Sequence, residues 1–88
     1  MFTSKYGKTF TKKLKKLKAK DFNHYKKVRK KMEGVLENPE HRYKDLHYSL
    51  KWKKRIHIGH FVLVFIVYNK DKIISFEDYD HHDNIYKK

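Results

Sequence analysis

Across 88 residues the chain carries 23 Lys and Arg against 10 Asp and Glu, a formal charge of +13, with 16% aromatic residues and no cysteine. So short a chain has surface enough for only one small core and is expected to be one domain over residues 1–88; without thiols it builds neither a disulfide framework nor a thiolate metal site, and a reducing, cytoplasmic setting is expected. Its longest apolar run, Phe61 to Tyr68, is far short of the roughly 20 residues that cross a bilayer, and no apolar signal segment follows the basic N-terminus, so no membrane is expected among its partners.

In chain order, Tyr6, Phe10, Leu14 and Leu17 recur at helical spacing with lysines between them, which predicts a first amphipathic helix after a short lead containing Phe2. Asp21 is placed to cap a second helix that carries Phe22, Tyr25, Val28, Met32, Val35 and Leu36 on one face. Asn38-Pro39 ends it, because a residue before proline is pushed out of the helical region. The lysine runs at 12–16 and 26–31 read as the solvated outer face of this helical hairpin. His41 to Lys54 reads as a polar loop leading into a sheet, with Tyr43, Tyr48 and Trp52 interleaved among Arg42, Lys44, Lys51, Lys53 and Lys54. Rings between cations fit single-stranded RNA, where aromatics stack on bases and cations follow phosphates. Arg42, Lys51, Trp52, Lys53, Lys54 and His60 are therefore the candidate RNA-binding residues; for Trp52, cover of a core edge is the equal alternative.

From Arg55 to Tyr68 the pattern is strand, tight turn, strand. Gly59 at the first central position of a two-residue loop favours a type II′ hairpin, since glycine takes positive φ there without steric cost. Ile58 then lies opposite Phe61, His57 opposite Val62, Ile56 opposite Leu63 and Arg55 opposite Val64. One sheet face collects Ile56, Ile58, Phe61, Leu63 and Phe65; the other sets Arg55 and His57 among Val62, Val64 and Ile66. After a turn at Asn69–Lys72, Ile73 to Tyr79 reads as a further strand. The expected fold class is α+β, with the N-terminal helical hairpin packed on a three- to four-stranded antiparallel sheet. In the tail, His82 and Tyr86 are four apart, so a single helical turn puts them on one side. His24 and His41 read as surface residues.

No Gly-rich phosphate loop, serine elbow or obvious carboxylate pair is present, which removes most enzyme classes. Arg55, His57, His82 and Tyr86 remain, and they are the parts needed to cleave RNA without a metal. An imidazole withdraws the 2′-OH proton, a cation stabilises the phosphorane, and an acid protonates the leaving 5′ oxygen. Asp78, Asp80, His81, His82 and Asp83 resemble a metal site in composition only, because adjacent residues rarely converge on one ion, and no metal is expected. Tyr86 is alternatively a core ring beneath the sheet.

The order helix, helix, hairpin, strand, with Asn38-Pro39, the stretch Arg55-Ile-His-Ile-Gly-His-Phe-Val-Leu-Val-Phe65, the strand Lys72-Ile-Ile-Ser-Phe76 and the ending His-His-Asp-Asn-Ile-Tyr86-Lys, resembles the RelE/ParE toxin superfamily, and within it the archaeal RelE branch. The resemblance covers nearly the whole chain. It implies the toxin of a toxin–antitoxin pair: a ribosome-dependent mRNA endonuclease acting in the ribosomal A site, silenced by an acidic RelB-like antitoxin and using no small-molecule cofactor. It also implies roles by position. Arg55 and His57 fall where RelE has two functional lysines, His57 is similar to a histidine of the YafQ branch, and His82 and Tyr86 match the histidine and aromatic that end YafQ-like toxins. His47 is loosely similar to a third YafQ histidine. Val62 stands where RelE carries a hairpin arginine, so phosphate stabilisation falls to Arg55 or Lys53. The alternatives are a ParE-like poison of DNA gyrase and a non-catalytic RNA-binding module.

Overall fold

Residues 2–41, 43–47 and 50–86 are described by the computed structural model of the chain. The order is β1 (Thr3–Tyr6), α1 (Lys8–Lys20), α2 (Phe22–Glu37), β2 (Lys44–His47), β3 (Leu50–Ile58), β4 (Phe61–Tyr68), β5 (Ile73–His81) and α3 (His82–Ile85). The strands make one sheet in the order β1-β5-β4-β3-β2; β1 runs parallel to β5 and the other pairings are antiparallel. The class is the expected α+β, with more strands than the sequence predicted.

Both helical expectations rest on identifiable signals. The Asp21 carboxylate accepts from the His24 backbone N–H at 3.1 Å, capping α2 one residue after α1 ends. Phe10 from α1 and Val28, Met32 and Val35 from α2 bury against Leu63, Phe65, Ile74, Phe76 and Tyr79 of the sheet, with Leu14, Leu17, Leu36, Ile56, Ile58 and Phe61 partly buried around them. Phe22 departs from the predicted stripe: it is 53% exposed, stacks on Tyr25 and lies under the Lys26 ammonium.

At the N-terminus the structure corrects the reading. Tyr6 lies in β1, not in the first helix, and its exposed ring still stacks on Phe10 and Phe76 at 6.0 and 6.1 Å. The contact inferred from helical spacing therefore exists, made by a strand that turns into a helix at Gly7. His41 to Lys54, read as a loop, contains β2 and the first half of β3. Arg42 lies outside the described residues.

The hairpin agrees residue for residue with its predicted register. Gly59 has φ of 62°, and the one positive-φ non-glycine among the described residues is Lys72, so only the first central position of the turn is left-handed, as type II′ requires. Beyond it, β4 is buried along its middle, Val62 to Ile66. A bulge between Val64 and Phe65, where Glu77 is the extra residue of β5, interrupts the β4–β5 register. No helix among the described residues is long and apolar enough to cross a membrane.

Candidate RNA-cleavage face

The sheet face away from the helices is the place where strand alternation puts polar groups on an apolar floor. Val62 and Val64 are 0% and 3% exposed there. Their cross-strand partners on β3 are His57 and Arg55. After β5 the chain turns through α3, which contacts both β4 and β5. The turn is closed by the Tyr86 N–H donating to the His82 carbonyl at 3.0 Å, and it brings Tyr86 back over β3.

Arg55 is held from two sides. Its Nε donates to the Asp45 carbonyl of β2 at 2.9 Å, and its Nη1 donates to the Tyr86 hydroxyl at 2.8 Å. The guanidinium carbon also lies 5.7 Å from the Tyr86 ring centroid. His57 has its ring centroid 6.5 Å from that of Tyr86. Among the described residues Nη2 of Arg55 has no hydrogen-bond partner, so one edge of the planar fork is presented to a ligand. Three of the four predicted catalytic side chains thus meet.

His82 keeps different company. Its ring stacks on His81 at 4.5 Å between centroids and lies 6.3 Å from His60 at the hairpin tip, while its Nδ1 is 3.0 Å from an Asp83 carboxylate oxygen. The helical turn does link His82 to Tyr86, but their side chains serve different neighbours. His60, predicted to bind RNA, belongs to this imidazole group as well, 6.1 Å from His81.

The other predicted RNA contacts divide by strand alternation. Lys53, Arg55 and His57 share one face of β3, and Lys44 of β2 lies opposite Arg55. Trp52 and Lys54 fall on the other face with Ile56. Lys54 is ion-paired with Asp45, while Trp52 is 55% exposed with the Lys53 ammonium 5.0 Å from its ring. Lys51 is in β3, and its side chain, like that of His47, lies outside the described residues.

No protein-family model matches the chain. It is 50% identical over 76 residues, 85% of its own length and 80% of the other's, to "Putative toxin RelE4" of Methanocaldococcus jannaschii. The chain belongs to the RelE family of toxins. Solved structures carry the same fold. The isolated RelE toxin of Escherichia coli matches with a TM-score of 0.76 at 17% identity, over 92% of this chain and 84% of that one. A chain of the toxin–antitoxin complex RelBE2 of Mycobacterium tuberculosis matches with a TM-score of 0.74 at 20% identity, over 91% and 96%.

Around this RelE-family face, several groups escaped the sequence reading. Asp45 anchors both Arg55 and Lys54, and its sequence neighbourhood gave no strand signal to point to it. Lys13 of α1 donates to Asp78 and Asp80 of β5 at 2.8 Å each, tying the first helix to the strand that leads into the tail. Partial burial alone would lower the Lys13 ammonium and raise the Asp80 carboxyl; the bonds of Lys13 to Asp78 and Asp80, with Asn84 and the His81 N–H also donating to Asp80, outweigh this, so Lys13 is raised and Asp80 lowered. His24, read as a surface residue, is half-buried, with its Nε2 hydrogen-bonded to the Tyr79 hydroxyl and its ring edge-on to Phe61 at 4.7 Å. Burial pushes the Tyr79 hydroxyl well above its ordinary range.

Proposed function

We propose that this RelE-family toxin is a ribosome-dependent mRNA endonuclease, that Arg55, His57 and Tyr86 form its working surface, and that an acidic antitoxin silences it. The observation that carries the reading is the Arg55 Nη1 to Tyr86 Oη bond of 2.8 Å beside His57, over the buried Val62 and Val64. A guanidinium with one edge open suits a phosphate, and the low-dielectric floor of Val62 and Val64 strengthens that interaction. His57 takes the proton from a 2′-OH, whose oxygen attacks the adjacent phosphorus. Arg55 stabilises the phosphorane. The bond to the 5′ oxygen breaks, that oxygen gains a proton from water, and a 2′,3′-cyclic phosphate is left. Tyr86, fixed through Arg55, orients the nucleotide. Lys44 and Lys53 extend the cationic track on the same face. A structural neighbour solved as a toxin–antitoxin complex supports the antitoxin, and so does a charge of +13 that an acidic chain would offset.

The test is an mRNA with one 2′-deoxynucleotide at the cut position, presented on translating ribosomes. The expected result is that the deoxy substrate resists cleavage while the parent yields cyclic-phosphate and 5′-hydroxyl ends. Equal cleavage of both substrates would refute 2′-OH attack.

A further inference from the structure

We propose that the hairpin tip and the tail together form a binding site for a borderline divalent metal ion, of which Zn²⁺ is the probe, with His60, His81, His82 and Asp83 as ligands. One donor atom from each of His81, His82 and Asp83 lies within 4.8 Å of the others. Adjacent residues alone are poor chelators, which is why the sequence argued against a metal. The fold supplies what the sequence lacked: a third imidazole from a different element. His60 stands across the group, with ring centroids 6.1 Å from His81 and 6.3 Å from His82.

Zinc–nitrogen bonds of about 2.0–2.1 Å put the centroids of two imidazoles on a tetrahedral zinc roughly 5–6 Å apart. His60 stands just outside that range and the stacked His81–His82 pair, at 4.5 Å, just short of it, so one ion is reached by side-chain rotation of the three rings. Imidazole with one carboxylate is a donor set that suits zinc, copper or nickel. The backbone around it is fixed, since the His82 N–H donates to the His60 carbonyl at 2.9 Å and holds the hairpin tip and α3 in register. Access is open: the His81 and His82 side chains are 38% and 43% exposed and Asp83 is 75% exposed. The Asp83 backbone N–H donates to His81 Nδ1 at 3.2 Å, leaving Nε2 of that ring for an ion, while the Asp83 carboxylate lies 3.0 Å from His82 Nδ1 and supplies local negative charge on a chain that is otherwise strongly cationic. Repulsion from more distant lysines is screened beyond about 10 Å at 0.1 M salt. A bound ion joins the tail turn to the hairpin and so fixes the segment that ends in Tyr86.

The experiment strips the protein with EDTA and titrates it with Zn²⁺ against a chromophoric chelator, with imidazole NMR signals followed in parallel. One ion per chain is expected. His60→Gln and His81→Gln should each weaken binding at least tenfold, and His41→Gln, distant in the fold, should leave it unchanged. In the parent protein the signals of His60, His81 and His82 should shift together. Absence of stoichiometric binding at micromolar Zn²⁺ overturns the proposal, as does binding that survives both substitutions or shifts His41 in place of this group. Because the readout is binding, a failed nuclease assignment leaves it intact.

Discussion

Arg55 holds Tyr86 over the strand, and in the proposed mechanism it also faces a phosphate, a pairing that a planar fork with several N–H groups allows. Lysine in its place has one flexible ammonium and cannot serve Asp45, Tyr86 and a phosphate together. Arg55→Lys is therefore expected to lose nearly as much single-turnover cleavage as Arg55→Ala; near-parental activity would show that charge alone suffices. Tyr86→Phe keeps the ring and removes the hydroxyl that accepts from Arg55. A fall of about 10- to 150-fold in the cleavage rate is expected, with circular dichroism unchanged, since a hydrogen bond to a charged group is worth about 1.5–3 kcal/mol. At this scale the sequence was informative about identity and less so about grouping. Arg55 and His57 were legible as a pair because strand period fixes which side chains share a face. Tyr86 joining them depended on how α3 rotates the tail, and the same rotation carries the His82 ring toward His60. No spacing rule reveals that.

Among the elements, the β3–β4 hairpin was readable to the residue because one glycine sets the turn and the turn sets the register. Gly59→Ala forces an L side chain into positive φ and is expected to cost about 1–2 kcal/mol, read as a lowered midpoint in urea unfolding. The short edge strands were not readable. Thr3–Tyr6 and Lys44–His47 have four residues each, too few for a period, and the first was hidden because Tyr6 to Phe10 spacing imitates a helix. Lys13, which clamps α1 to Asp78 and Asp80, gives a pH prediction. Asp80 is lowered in the folded state, so its contribution is present above the unfolded carboxylate value of about 3.9 and is lost as pH falls through the lower folded value. Lys13 is raised, so its contribution is present below about 10.4 and is lost as pH rises through the higher folded value. These groups are about one-third exposed, and Lys13→Met should cost no more than about 1 kcal/mol at pH 7. The gap between parent and variant should close as thermal unfolding is followed from pH 7 to below pH 3; a constant gap would mean that the clamp is not electrostatic.

For the molecule as a whole, +13 on 88 residues exceeds what solubility asks, about 2–8 for a small domain, and points to a polyanionic partner. Contact with about four phosphates of single-stranded RNA would give a slope near −3 in log affinity against log salt. Ribosome association should therefore weaken by well over tenfold between about 50 and 200 mM salt, while the cleavage rate at saturating toxin stays level. Association that ignores salt would contradict an electrostatic footprint. The fold places the helices on the sheet face opposite Arg55 and His57, so the helix lysines can be substituted without touching the face proposed for the chemistry. The most direct measurement is single-turnover cleavage of ribosome-bound mRNA by Arg55→Ala at saturating toxin, alongside its ribosome affinity. The expected rate is lower by about 10²–10³ with affinity changed only a few-fold, because the phosphorane charge exists only in the transition state. Parental cleavage by a folded Arg55→Ala protein would contradict the proposed mechanism.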